Sequence, residues 1–219
     1  MNPATKETLR YRQALYQGQQ MIKKRPLTVP LICKICSAIR EVDTGVRDLP
    51  GTVLFNELSG EKIYTPPEGK EHLLKLLTNW EDYIHNEGDG IDPLIKLAVQ
   101  HYQFEAIHPF LDGNGRIGRL LIPIMLYEKG ILSYPLLYVS EYFERNRDNY
   151  YAYLRMVDKE DDWESWIKYF LKSIKEQALD TQNKVLNMLE LYKSVKEKLS
   201  DFNSQYAIHL LDIIYHPQL

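Results

Sequence analysis

The segment His108-Pro109-Phe110-Leu111-Asp112-Gly113-Asn114-Gly115-Arg116-Ile117-Gly118-Arg119 stands between two stretches of helical character. Upstream, from Leu94 to Ile107, apolar residues occur almost all round the wheel, which predicts a central helix. Asp92-Pro93 opens it, with Asp as N-cap and Pro at the first helical position. Downstream, Ile117, Leu120, Leu121, Ile124 and Met125 resume helical spacing up to Gly130. The twelve residues therefore read as a short glycine-bearing loop that leads into a second helix. Pro123 is a local conflict in that helix, because it removes a backbone donor at a cost of about 3 kcal/mol in an ordinary interior.

Helix, glycine loop, helix is a geometry that binds anions. The free N–H groups of a helix start point outwards, and the helix dipole favours negative charge there. Gly113 and Gly115 let a phosphate approach the backbone closely. Arg116 and Arg119, three apart, are placed to clamp phosphate oxygens. Asp112 offers a hard oxygen ligand for Mg²⁺, which takes one or two carboxylates plus substrate phosphates. His108 stands at the loop mouth as the candidate general base. Base, metal ligand, anion nest and cationic clamp are the parts of phosphoryl or nucleotidyl transfer. A Walker pattern and a strand-borne G-x-G-x-x-G are both absent, so neither a P-loop nor a Rossmann site is supported. A rival reading uses His101, Glu105 and His108 at i, i+4 and i+7 as a helical face for a transition metal, which suggests a metal hydrolase.

Further outward, helical spacing dominates. Leu9, Ala14, Leu15 and Met21 mark a first helix with Gly18 as its weak point; Leu31, Ile32, Ile35, Ala38 and Ile39 mark a second, amphipathic one. Thr52–Phe55 and Lys62–Thr65 are short extended candidates around a turn at Asn56 to Glu61, the one plausible β-hairpin. Leu73, Leu74, Leu76, Leu77 and Trp80 form the apolar side of another helix, a further helix fits Arg145 to Val157, and Trp163 to Leu199 carries one or two more. The tail from Gln205 starts a helix that stops at His216-Pro217.

Of the 219 residues 44% are apolar and 26% charged, which excludes a disordered or collagen-like chain. A net charge of −3 gives no basic excess for nucleic acid or anionic membrane. Cys33 and Cys36 are the two cysteines, read as reduced thiols of a cytoplasmic protein; no apolar run is long enough to span a bilayer, and the N-terminus has no signal-peptide core.

HPFLDGNGRIGR matches the signature H-x-F-x-[D/E]-G-N-G-R-x-x-R throughout, so the chain resembles the Fic (filamentation induced by cAMP) family. The stretch YRQAL, the hairpin ending at Ile63-Tyr64-Thr65-Pro66-Pro67, and YFERNRDNYYAYL resemble the flanks of bacterial members, over roughly residues 9 to 160. The resemblance implies a mainly α fold, a Fic-type helical core with a small β-hairpin flap. It implies a Fic domain at 1–160, with N-terminal helices, and a C-terminal helical region at 161–219 that looks like the start of a truncated winged-helix module. The implied activity is protein AMPylation, the transfer of AMP from ATP to a Tyr, Ser or Thr hydroxyl of a protein, itself included, with release of pyrophosphate. Carried over residue by residue, His108 takes the target's proton and Asp112 holds Mg²⁺ against the α- and β-phosphates. Gly113, Asn114, Gly115 and Gly118 line the phosphate path, and Arg116 and Arg119 hold the β- and γ-phosphates. Phe110 is a core anchor. Lys62, Ile63, Tyr64 and Thr65 form the target-binding flap by strand addition. The stretch Tyr142 to Tyr151, with Tyr142 and Tyr150, is the expected adenine wall. Gly115, where the Doc branch has Lys, favours AMP transfer over phosphorylation.

The expected partners are ATP, a protein with an accessible hydroxyl, and a second copy in a homodimer, with no membrane. The alternative is a non-catalytic Fic-fold module that regulates or binds DNA or protein. Many family members are held off by a helix with the pattern [S/T]-x-x-x-E-[G/N], whose Glu meets the second motif arginine, here Arg119. The nearest match, Ser37 to Glu41, is followed by Val42, so the expectation is that the inhibitory helix is absent, either a missing N-terminal helix or one supplied by an inhibitory partner, and that the chain is active without a release step. A second expectation is that nothing in the chain offsets the Arg119 charge except the ATP γ-phosphate; the runner-up is that Glu41 does so.

Overall fold

The structure, a computed structural model, describes residues 2–55, 60, 62–200 and 205–215. They fall into two compact units, 1–174 and 175–219. The first contains α1 (Pro3–Ile22), α2 (Val29–Arg40), β1 (Leu54–Phe55), β2 (Lys62–Tyr64), α3 (Lys70–His85), α4 (Pro93–Ile107), α5 (Asn114–Glu128), α6 (Val139–Arg145) and α7 (Arg147–Glu160). Helix α8 (Trp163–Ser200) begins in it, and α9 (Gln205–Tyr215) follows in the second unit. The fold is mainly α-helical with a two-stranded antiparallel hairpin, as expected.

Helix α4 packs against α3 and α5, and α1 packs against α2 and α5. The all-round apolar pattern of α4 makes sense there: Leu97, Ala98, Gln100, His101, Phe104 and Ile107 are all buried. Its start is as read, since the Asp92 carboxylate accepts from the Leu94 N–H at 2.8 Å. Two buried indoles lie against α4 and donate to it, Trp80 to the Gln100 carbonyl and Trp166 to the Ala98 carbonyl, each at 2.9 Å. Burying a tryptophan this fully satisfies its one donor as well as its apolar area. Helix α5 runs on through Pro123, which is itself buried.

Two elements differ from the sequence reading. Val139–Arg145 is a separate short helix, hidden from periodicity because seven residues carry fewer than two full repeats. The strands are two and three residues long, paired Leu54 to Tyr64 and Phe55 to Lys62 with a bulge between, so Thr52, Val53 and Thr65 lie outside them. Of the one or two helices read from Trp163 to Leu199, the structure has one. The turn read at Asn56 to Glu61 lies, apart from Gly60, outside the described residues, as do His216 and Pro217. In the second unit the Tyr192 hydroxyl donates to Asp212 at 2.7 Å and its ring meets Tyr215 edge-on. Among the described residues no helix is long and apolar enough to cross a membrane.

Gly18, a weak point by propensity, is a packing requirement. A Cβ there would stand 2.5 Å from Ile124 Cδ1 on α5 and 3.3 Å from Ile35 Cδ1 on α2. The missing side chain lets α1 close on both helices. Gly18→Val should cost roughly 1–3 kcal/mol of stability through overpacking, and Ile124→Val should recover part of that loss in the double variant. Denaturant unfolding of the four proteins of the cycle checks this; additive losses would show that the two side chains do not compete for the same space.

Candidate active site

The loop is built from its backbone upward. His108 caps the C-terminus of α4 in the left-handed region, φ 50° and ψ 58°, and its N–H still donates to the Phe104 carbonyl. Gly113 opens α5 with φ 88°, a value that suits glycine. Between them the Asn114 side chain closes the loop on itself: Oδ1 accepts from the Phe110 N–H at 2.9 Å and Nδ2 donates to the Phe110 carbonyl at 2.7 Å. Asn114 and Phe110 are both buried. Phe110 is therefore the anchor the sequence suggests. The Asn114 side chain is spent on the loop, which leaves its main-chain N–H as what it offers an anion. The first N–H groups of α5, from Asn114 onward, have no intrahelical acceptor.

The charged residues divide by depth. Asp112 is exposed, and its carboxylate lies 3.3 Å from Arg116 Nη2 and 3.7 Å from Arg40 Nε. Arg116 also reaches Glu7 of α1 at 2.7 Å. Such open ion pairs are worth about 1 kcal/mol or less each, so an incoming phosphate or cation displaces them easily. Arg40, at the end of α2, is a third guanidinium at the loop that the motif does not contain. Arg119 lies deeper, with its side chain 14% exposed and Glu144 at 3.7 Å. Its Nε is buried without a partner. Burial pulls its pKa down, but Tyr150, Glu105 and Glu144 outweigh this and leave it above its ordinary value.

The motif glycines clear a strip of α5 for two of these groups. A Cβ at Gly118 would stand 2.3 Å from Glu105 Oε1; one at Gly115 would stand 3.0 Å from Arg119 Nη1 and 3.9 Å from Glu105 Oε2. The buried Glu105 carboxyl and the Arg119 guanidinium thus share one glycine face. Burial raises the Glu105 pKa to about 7 against the pull of Arg119. Two expectations are corrected here. Arg119 is offset from within the chain, by Glu105 and Glu144. Glu41 is not its partner, because it ends α2 and pairs with Arg10 at 2.5 Å.

The His108 pKa is lowered, first by burial and also by Arg47, with the Glu105 main chain and Asp112 acting the other way. A neutral imidazole at neutral pH is the form a base needs. His101 is different. Its ring stacks between Phe143 and Trp166, its Nε2 is taken by the Tyr150 hydroxyl at 2.9 Å, and burial lowers its pKa to about 3. Among the described residues no three His, Cys, Asp or Glu side chains gather as a metal site would need. The His101–Glu105–His108 metal face is therefore not formed.

The expected adenine wall is also different. Tyr142 is 8% and Tyr150 2% exposed, and the Tyr150 ring stacks on Phe143 at 4.5 Å. Both belong to the aromatic core beneath the site; the exposed tyrosine of the same stretch is Tyr151. On the flap, Lys62 and Thr65 are exposed and Ile63 and Tyr64 half-buried, and β1 and β2 are the only strands among the described residues. The edge of β2 away from β1 thus carries main-chain groups that no described strand pairs. The sequence reading missed Arg47. It lies 3% exposed between α2 and β1, donates through Nε to the His108 carbonyl and through Nη2 to the Pro67 carbonyl, and no periodic pattern marks it.

Glu105 gives a pH test of this arrangement. Between about pH 4.5 and 7 the folded chain holds a proton there that the unfolded chain releases, so stability falls as pH rises through that window. Glu105→Gln removes this dependence. Relative to the wild type it should gain roughly 1–3 kcal/mol on going from pH 5 to pH 8. Denaturant unfolding at the two pH values checks it; an unchanged difference between the proteins would place Glu105 in water rather than under α5.

Residues 26–126 match the Fic/DOC family. Over 94 residues the chain is 37% identical to a probable protein adenylyltransferase of Aquifex aeolicus, a match spanning 43% of this chain and 26% of that protein. Over 115 residues it is 32% identical to the protein adenylyltransferase Fic of Drosophila willistoni, spanning 52% of this chain and 22% of that protein. The chain thus spans about a quarter of the length of the curated relatives it matches. Among solved structures, it resembles a Fic family protein of Desulfovibrio desulfuricans with TM-score 0.66 and 21% identity, over 85% of this chain and 55% of the other. It resembles a Fic domain containing signaling protein of Bacteroides thetaiotaomicron with TM-score 0.60 and 22% identity, over 81% and 72%. At these identities the structural likeness speaks for the fold.

Proposed function

We propose that this protein, whose residues 26–126 match the Fic/DOC family, is an adenylyltransferase that moves AMP from ATP to a hydroxyl side chain of a protein. The observation that carries this is the loop itself: a half-buried His108, its pKa held down by burial, at the mouth of an anion nest, with guanidiniums at two depths behind it. The target hydroxyl oxygen forms a bond to the α-phosphorus as the bond from that phosphorus to the bridging oxygen of pyrophosphate breaks. His108 takes the hydroxyl proton. The N–H groups at the start of α5 and the arginines hold the phosphate oxygens as charge moves toward the leaving group. Arg116 gives up Glu7 and Asp112 to do so; Arg119 stays held by Glu105 from below and by Glu144 at the rim.

Mg²⁺ fits the donor set. Asp112 is one exposed hard carboxylate beside an anion site, and Mg²⁺ bound with substrate phosphates takes one or two such ligands and keeps water on the rest. When bound, it would neutralise phosphate charge. Strand β2, Lys62 to Tyr64, with Thr65 just after it, would align the target backbone along its free edge. Under this reading residues 1–160 carry the transfer site and 161–219 form a C-terminal helical region. The setting is cytoplasmic, which suits the two free thiols on α2. Any inhibitory carboxylate brought to Arg119, by a partner or another segment, must compete with Glu144.

Incubation with α-labelled and with γ-labelled ATP tests the function. Label on protein from the α position alone is expected; label from γ alone would mean kinase activity and would overturn the reading. His108→Ala should lower transfer by roughly 10²–10⁴-fold with ATP binding retained, and wild-type rates in that variant would remove His108 as the base. Glu41→Gly should leave self-modification unchanged, because Glu41 faces Arg10. A large rise would mean that Glu41 restrains the site.

A further inference from the structure

Helix α4 ends in a run of carbonyls that have lost their helical donors, and one neighbouring segment meets them in sequence. The Tyr64 hydroxyl donates to the Ala106 carbonyl at 3.0 Å. Arg47 Nη2 reaches the Ile107 carbonyl at 3.5 Å, Arg47 Nε the His108 carbonyl at 2.8 Å, and the Arg47 main-chain N–H the Pro109 carbonyl at 2.9 Å. Four consecutive carbonyls, 106 to 109, are thus met from residues 47 and 64. The same Nη2 also donates to the Pro67 carbonyl at 2.6 Å, just past β2. Tyr64 itself lies on β2, paired with Leu54.

We propose that Arg47 and Tyr64 are positioning residues that brace the His108 turn against the flap, so that docking of a target on β2 sets the place of the base. The inference rests on the adenylyltransferase reading above and adds the link between its two halves. The physical case is geometric. His108 holds a left-handed conformation that a residue with a Cβ adopts only when its surroundings fix it. Its carbonyl is fixed by a planar guanidinium that is itself pinned at Pro67, on the flap side. A shift of β2 therefore pulls on the ring of Tyr64, on Pro67, and through both on residues 106 to 109. Arg is suited to this because its fork donates in several directions within one plane, which an ammonium does not. Arg47 is 3% exposed and its Nη1 is buried without a partner, so the group is committed to the brace rather than to solvent.

The test uses Tyr64→Phe and Arg47→Lys in the full chain, with two readouts. The first is steady-state transfer to a protein target. The brace predicts that kcat falls, roughly 3- to 10-fold in Tyr64→Phe and 10- to 100-fold in Arg47→Lys, in the range that a displaced catalytic group costs. KM for ATP should stay within about twofold, since neither side chain belongs to the nucleotide loop. Lysine should restore only part of what Arg47→Met loses. The second readout needs no turnover: the rate at which diethylpyrocarbonate modifies His108, followed by peptide mass spectrometry, should rise in the order wild type, Tyr64→Phe, Arg47→Lys, with the other histidines unchanged. Wild-type kcat and wild-type His108 labelling in both variants would overturn the brace, and so would a rise in KM for ATP at constant kcat. If Arg47→Lys does not fold, Tyr64→Phe decides alone, because it removes one oxygen from a half-buried ring. A wild-type chain that transfers nothing from ATP would sink the function reading, while the labelling order would still decide the brace.

Discussion

Every helix leaves carbonyls without donors at its end, and in α4 that requirement falls next to the residue that would do the chemistry. The fold meets it with Arg47, a charge buried to 3% exposure and bonded to main-chain oxygens on two elements. A buried guanidinium is costly unless its hydrogen bonds are made, so the arrangement is sensitive to the position of each carbonyl it meets. The left-handed turn at His108, the loop that follows and the base of the hairpin are tied together by that one side chain.

The loop gains rigidity from a second device. Asn114 donates to and accepts from the same residue, Phe110, whose ring is sunk in the core. The polar half of the loop is thus tied to an apolar anchor four residues back, and the first turn of α5 presents its N–H groups from a fixed place. Preorganised donors of this kind need no rearrangement as charge develops.

Beneath the loop, the electrostatics are internal. Arg119 lies over a face that Gly115 and Gly118 leave open, with Glu105 sharing the space and Glu144 at the rim. His101 is held neutral below them among Phe143, Trp166 and Phe170. The outer pairs, Arg116 with Glu7 and Asp112, and the rim contact of Glu144 with Arg119 are exchangeable; Glu105, beneath the glycine face, is not, because a desolvated group keeps a partner that an exposed one gives up. Depth thus separates the part of the site that can be remodelled by ligand from the part that holds it.

What the sequence determined by itself was local. The capping Asp92-Pro93, the all-round apolar α4 and the glycine loop from His108 to Arg119 were legible because each depends on neighbours within a few residues, which spacing records. The same spacing misjudged Gly18, whose value is the approach of α5 and α2, and it placed Tyr142 and Tyr150 on a ligand wall, because aromatic residues at helical spacing look alike whether they face a site or a core. It left Arg119 without a countercharge, since Glu105 and Glu144 lie 14 and 25 positions away along the chain and meet it only across packed helices. Arg47 was invisible for the same reason. Its acceptors lie some 20 and 61 residues further on, and nothing in a run of amino acids marks which carbonyls a buried guanidinium will reach once the chain has closed around it.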